Sequence, residues 1–279
     1  MSKYISPLVL VSWLMVLALL IAALFSPLVA PHNPVRERLL DRLLPPAWAK
    51  DGEWHYTLGT DHLGRDVVSR IIYGSRVSLI VGFAAMLVGG SLGIALGVTA
   101  GYVGGRCDDV VMALADMQLA LPTILLAITI IAVLGPSFSN LVIVIGISGW
   151  VTYARIARAQ VLSLREKEFI EAIRAQGGGP QRIICRHILP NILSPLIVVA
   201  TLDLARTIIL ESTLSFLGLG IQPPTPSWGG MLSDGREYLL SAWWIATFPG
   251  VVLMLTALSF NRLGDWVRDL SDPRLRRLE

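Results

Sequence analysis

The side chains from which a catalytic or nucleotide-binding site could be built are few and scattered. They are four histidines, His32, His55, His62 and His187, two cysteines, Cys107 and Cys185, and the run Leu58-Gly59-Thr60-Asp61-His62-Leu63-Gly64-Arg65-Asp66. That run imitates the start of a P-loop, with four residues between Gly59 and Gly64. A P-loop then needs Lys to reach the phosphates and Ser or Thr to hold magnesium, and here Arg65 and Asp66 occupy those places. The run is therefore a decoy for ATP binding, and it reads as a turn feeding an amphipathic helix through Val67, Val68, Ile71 and Ile72. No HExxH, Ser/His/Asp arrangement, CxxC or Cys/His cluster at metal spacing occurs. His32, His55 and His62 fall in one polar segment and His187 in another, which argues against an enzyme. The chain is expected to bind no metal and no cofactor of its own.

A different kind of chemistry is available to charges inside apolar runs. Asp203, Arg206 and Glu211 lie in the weakly polar stretch 191–218. Each charge near a bilayer centre costs on the order of 3 kcal/mol, so such groups should face protein or water. At about 100° per residue, Arg206 lies about 60° to one side of Asp203 and Glu211 about 80° to the other, so all three fit one broad face. One reading is mutual neutralisation of Asp203 and Arg206 at an interface. The other is a wet cavity lined by that face, with Glu211 near its outer end.

The elements that must carry these residues follow from composition. Of 279 residues, 54% are hydrophobic and only 15% charged, with a mean hydropathy of +0.65. This is an all-α, polytopic membrane composition rather than that of a soluble domain. The net charge of +3 is small and dispersed, which excludes nucleic acid as a partner. Six membrane spans are predicted: residues 8–30, 77–105, two within 117–154 broken at Gly135-Pro136-Ser137-Phe138-Ser139-Asn140, 191–218, and 238–260. The first is read as a retained helix rather than a cleaved signal peptide, because its apolar run is too long and only Lys3 precedes it. Gly89, Gly93, Gly97 and Gly101 recur every fourth residue and predict close helix–helix packing. Trp243, Trp244 and Phe248 mark an interfacial belt at the start of the last span.

Residues 166–190 form a polar island. Phe169, Ile170 and Ile173 line one side of a short helix whose other side is charged. Gly177-Gly178-Gly179 stops that helix, Pro180 opens a second, and Pro190 is expected to close it. Two short helices joined by a glycine elbow make a rigid knob that another protein could grip; an amphipathic linker on the membrane surface is the plainer alternative.

Here the sequence resembles a known family. Glu171-Ala172, Gly177 and Leu189-Pro190 are similar to the EAA loop of ABC-importer permeases, with Ile173 in place of the second Ala and His187 in place of the Ile before x-Leu-Pro. Arg186-His187-Ile188-Leu189-Pro190-Asn191 resembles the peptide and nickel branch. Gly59-Thr60-Asp61 with Gly64-Arg65-Asp66 resembles the C-type permease subunit of that branch, as do Ser215–Gly218 and the segment 220–230. The resemblance implies a type I importer permease fold in a bacterial inner membrane, with Glu171, Ala172, Gly177, His187, Leu189 and Pro190 contacting an ATPase subunit. It implies as partners a second related permease, two ATPase subunits holding ATP and magnesium, and an extracytoplasmic substrate-binding protein. Asp203, Arg206 and Glu211 would then lie on the translocation path. Di- or oligopeptides are the expected cargo, with nickel or glutathione as alternatives; an ion-driven secondary transporter would instead show inverted repeats, and none is visible.

Three regions are expected: residues 1–77, the first span with an extracytoplasmic segment; 78–268, a five-helix core with the loop 166–190; and 269–279, a cytoplasmic tail. Of the 23 Lys and Arg, 14 fall on the side that holds both termini and the 166–190 loop, 8 on the other, and Arg206 within a span. The positive-inside rule therefore places both termini and the loop in the cytoplasm, where Cys107 and Cys185 stay reduced.

Overall fold

A computed structural model describes residues 7–271 of the chain. In chain order its helices are α1 (Pro7–Leu24), α2 (Ser26–Val29), α3 (Val67–Val103), α4 (Gly105–Leu119), α5 (Thr123–Leu134), α6 (Phe138–Arg165), α7 (Glu168–Ala175), α8 (Pro180–Ile183), α9 (Leu189–Phe216), α10 (Trp228–Gly235) and α11 (Trp244–Ser271). A π-helical turn, Ile184–Ile188, joins α8 to α9. No strand occurs among the described residues; the pairing of Thr60 with Asp66 is an isolated bridge. Five helical stretches are long and apolar enough to cross a membrane: α1, α3, α6, the continuous stretch Pro180–Phe216, and α11. The pair α4–α5, bent by 90°, supplies a sixth if the two helices count as one crossing.

The centre of the bundle is the pairing of α3 with α6, and the glycine stripe explains its closeness. A Cβ on Gly89 would sit 2.6 Å from Gly146 O, one on Gly93 2.3 Å from Trp150 O, one on Gly97 2.3 Å from Ala154 O, and one on Gly101 2.9 Å from Val161 Cβ. Only hydrogen at these four positions lets the backbones approach so far, and the dispersion attraction along the seam replaces the hydrophobic drive that lipid does not supply. Around this pair, α1 packs against α3 and α11, and its Val9, Val16, Leu19 and Ala23 join Leu79, Leu204, Ile208, Phe260 and Leu263 in one buried cluster. On the other flank, Ala127 and Ile131 of α5 close onto Val81, Ala85, Val144 and Ile145.

Several boundaries differ from the sequence expectation. The helix α3 begins at Val67, ahead of the expected boundary at residue 77, because Asp66 caps it: its carboxylate accepts from Ser69 N at 3.0 Å and Ser69 Oγ at 2.6 Å. The stretch between the expected spans 77–105 and 117–154 is not a loop but forms most of α4. Two of its acidic residues are held by α6, with Arg158 Nε and Nη2 donating to the two oxygens of Asp108 at 2.5 Å each and Arg155 paired with Asp116. Pro122 then forces the turn into α5, which at 12 residues is about 18 Å long and too short to cross a bilayer core alone. At the last span, α11 starts at Trp244 rather than 238, and the expected tail lies outside the described residues from 272 onward.

Pro190 does not close a helix. It sits in the first turn of α9, and the chain stays helical from Pro180 to Phe216. The preceding π turn relieves the proline: Leu189 N reaches back to Ile184 O, a wider loop than the α-helix uses, and Asn191 Nδ2 donates to His187 O at 2.6 Å.

Candidate functional site: a surface knob and a polar cleft

The knob is built from its elbow outward. Gly177 takes φ +82°, a left-handed conformation, and two hydrogen bonds close the end of α7: Gly177 N to Arg174 O at 2.9 Å and Gly178 N to Ile173 O at 2.9 Å. This is a Schellman ending, and only a residue without a Cβ adopts it without strain. Gly179 and Pro180 then start α8. One face of the knob is anchored: Ile170, Ile183 and Ile188 are fully buried against Val98, Tyr153, Ala157, Val161 and Ile192. Arg174 stacks on the Tyr102 ring at 5.7 Å, and Arg165 Nη1 donates to Gly101 O at 2.9 Å near the C-terminal end of α3. The other face is open. Glu168, Phe169, Glu171, Ala172, Arg182, Cys185, Arg186 and Pro190 are exposed, while His187 and Leu189 are half-buried. Of the residues expected to contact a partner, Glu171, Ala172, Gly177 and Pro190 are thus at the surface, and His187 and Leu189 sit at the hinge with α9.

The second feature is a cavity of about 320 Å³ between α5, α6 and α9. Asp203 and Arg206 line it together with Thr123, Ser148, Thr152 and Thr207. Asp203 accepts from Tyr153 Oη at 2.9 Å. Asp203 and Arg206 form no direct ion pair within this chain. Glu211 is not part of this wall. It is fully buried on the α3 side of α9, where its carboxyl oxygens meet Ser215 Oγ at 2.8 Å, Ser78 Oγ at 3.0 Å and Ser212 Oγ at 3.2 Å. The broad face inferred from helical spacing is therefore split: two of its three polar residues turn to the cavity and the third to α3. Nothing in the sequence pointed to Tyr153 or Ser78, because their partners lie 50 and 133 residues away.

The Gly59–Asp66 run serves neither feature. Its glycines take φ +81° and +71° and fold the run against Leu44 and Arg38, where a Cβ would meet a backbone oxygen at 2.5 and 1.8 Å. Its charges make a buried network. Asp61 accepts from Arg65 Nε at 2.7 Å and pairs with Arg70, while Asp234 of α10 takes Arg65 Nη2 at 3.3 Å and Arg70 Nη2 at 3.0 Å. Burial alone would raise the Asp61 carboxyl, but the guanidiniums of Arg70 and Arg65 outweigh it and hold the group below the usual carboxylate range.

An all-helical, multi-pass chain with a polar cavity between its helices and an exposed helical knob is built as a membrane transport subunit. Residues 93–277 match the family described as binding-protein-dependent transport system inner membrane component. Over 264 residues the chain is 43% identical to the di/tripeptide transport system permease protein DppC of Pseudomonas aeruginosa, covering 94% of this chain and 87% of that one. Its identity to the probable D,D-dipeptide transport system permease protein DdpC of Escherichia coli is 40% over 269 residues, covering 96% and 88%. Among solved structures, the inward-facing MetNI methionine ABC transporter matches with a TM-score of 0.59 at 18% identity, over 73% of this chain and 96% of that one, a likeness of fold. The chain belongs to this family, the inner-membrane permease subunits of binding-protein-dependent ABC importers.

Proposed function

We propose that the chain forms half of the translocation path of an importer for di- or oligopeptides, and that the knob of α7 and α8 couples it to an ATPase subunit. The observation that carries this reading is the two-faced construction of the knob. Its apolar side is locked into the bundle through Ile170, Ile183 and Ile188, and its charged side is free. A push on the free side is therefore delivered to α9 through an unbroken helix from Pro180 to Phe216. Asp203 and Arg206 lie on that same stretch and line the cavity, so motion of the knob and the shape of the path share one element. The relatives that are di/tripeptide and dipeptide permeases support the cargo class.

The complex we infer contains a second related permease, two ATPase subunits that hold ATP and magnesium, and an extracytoplasmic substrate-binding protein. Both termini and the knob face the cytoplasm; the basic residues Arg155, Arg158, Arg165, Lys167, Arg174, Arg182 and Arg186 at the knob end support this side.

The test is ATP-driven uptake of labelled dipeptide into proteoliposomes holding the assembled complex and its binding protein. Glu171→Lys and Gly177→Val should leave insertion intact, since both positions are exposed on the knob, outside the spans, and the strain of a Val at φ +82° stays in the elbow. They should abolish uptake, either by loss of the ATPase subunits on purification or by ATP hydrolysis without transport. Normal uptake in both variants would remove the coupling role.

A further inference from the structure

The polar segment between α2 and α3 brings together two histidines that lie 23 residues apart in sequence. His32 Nε2 and His55 Nε2 are 3.1 Å apart. His32 Nδ1 is buried with no hydrogen-bond partner, and the nearest carboxylate oxygen, Asp66 Oδ2, lies 3.3 Å away. Asp66 is itself fixed by Ser69 N and Oγ, and His32 N donates to Ser69 Oγ at 2.9 Å, so the imidazole is held at both its backbone and its ring. Tyr56 packs beside both rings, with centroids 5.3 Å from His32 and 4.8 Å from His55.

We propose that His32 and His55 form a two-histidine site for a divalent first-row transition ion of the zinc, nickel or copper class, with Asp66 as the carboxylate that orients His32. The proton on His32 Nδ1 belongs on the side of Asp66, which leaves the Nε2 lone pair pointing toward His55. Ligating histidines commonly present their second nitrogen to a carboxylate, and Asp66 Oδ2 is the one in reach of His32 Nδ1. Two imidazole nitrogens on one tetrahedral ion lie about 3.3 Å apart for metal–nitrogen bonds of about 2.0 Å, close to the separation present here. The rings also meet obliquely, with centroids 4.5 Å apart and planes at 64°. Imidazole selects borderline ions over calcium or magnesium, which prefer oxygen. His55 is exposed, so water completes the coordination and the ion exchanges with solvent.

Such an ion would tie the turn at Pro31–Asn33 to His55 and, through Asp66, to the first turn of α3. It would stiffen the whole segment that stands clear of the spans. The neighbouring trio Asp61, His62 and Asp234, whose ligand atoms lie within 4.8 Å of one another, is not a competing site. Arg65 and Arg70 already occupy both carboxylates, and two guanidiniums there repel a divalent ion.

The test uses the full untagged chain in detergent, with Cys107 and Cys185 alkylated, titrated calorimetrically with zinc and followed with copper by the nitrogen hyperfine pattern of its paramagnetic resonance spectrum. One ion per chain is expected, with two coordinated nitrogens. His55→Gln, at an exposed position that leaves the fold intact, should abolish saturable binding, and His32→Gln should do the same. Asp66→Asn should weaken binding about tenfold to 100-fold. His62→Gln should change nothing. No saturable uptake by the unmodified chain would show a pair that only shares a proton and overturn the proposal. Unchanged binding in His55→Gln, or loss of binding in His62→Gln, would also overturn it.

Discussion

Alanine at Gly97 and at Gly90 should separate the packing of α3 on α6 from helix propensity. The two glycines are seven residues apart on one helix and receive the same methyl group. At Gly97 the new Cβ would lie 2.3 Å from Ala154 O and 2.8 Å from Ala154 Cα, both backbone atoms that cannot swing away. Ordinary contact begins at 3.4 Å, so the helices must part by roughly an ångström along a seam where four glycines make the approach. At Gly90 the Cβ would meet the Tyr153 ring at 3.6 Å, which is ordinary contact. Overpacking of this kind costs about 1–3 kcal/mol, and replacing a mid-helix glycine by alanine returns about 1 kcal/mol of propensity. Propensity cancels between the variants, so Gly97→Ala should be less stable than Gly90→Ala by about 1–3 kcal/mol, with Gly90→Ala at or above the parent. The assay is thermal unfolding in detergent followed by tryptophan fluorescence, to which Trp150 on the contact face of α6 contributes. Equal midpoints for the two variants would refute the argument that the stripe sets the helix separation.

Two further outcomes follow from the anchoring of the knob and from the buried ion network. Ile183→Ala removes a fully buried side chain beneath α8 and should cost about 2–5 kcal/mol of local stability; hydrogen exchange of the α7 and α8 amides should speed up while α3 and α6 amides stay protected, and uniform acceleration would contradict local anchoring. Asp61 has its folded pKa held below the ordinary 3.8, so its contribution is complete above that value and is lost as pH falls through the lower, folded value. The unfolding midpoint of the parent should therefore drop as pH falls below the ordinary carboxylate range, and that of Asp61→Asn should be lower at neutral pH but flatter with acid; parallel curves would show that the network does not act through this carboxylate.

Much of the transport architecture was legible in the sequence, because membrane and turn chemistry act over a few residues. An apolar run of helix length has to satisfy its own backbone in lipid, so the long spans could be counted before any contact was known. Gly177 could be placed at an elbow because a left-handed residue at a helix end is a local demand, met by bonds to Arg174 and Ile173 just upstream. The spacing of Gly89, Gly93, Gly97 and Gly101 likewise announced a face of close approach, though not that α6 was its partner.

What the chain alone left open was decided by residues far away in sequence. Helical spacing grouped Asp203, Arg206 and Glu211 on one face, but what a side chain faces depends on its neighbours: α5 and α6 leave room beside Asp203, while Ser78 of α3 meets Glu211. Pro190 carried a local signal to stop, and the π turn with the Asn191 amide on His187 O let the helix continue to Phe216. Asp108 and Asp116 find their partners in Arg158 and Arg155 of α6, 50 and 39 residues on. The same holds for His32 and His55, which no spacing rule joins. A turn, a cap or a span is specified by the free energy of its own few residues, whereas a cavity, a buried carboxylate or a facing pair of imidazoles exists only once the whole bundle has brought its walls together.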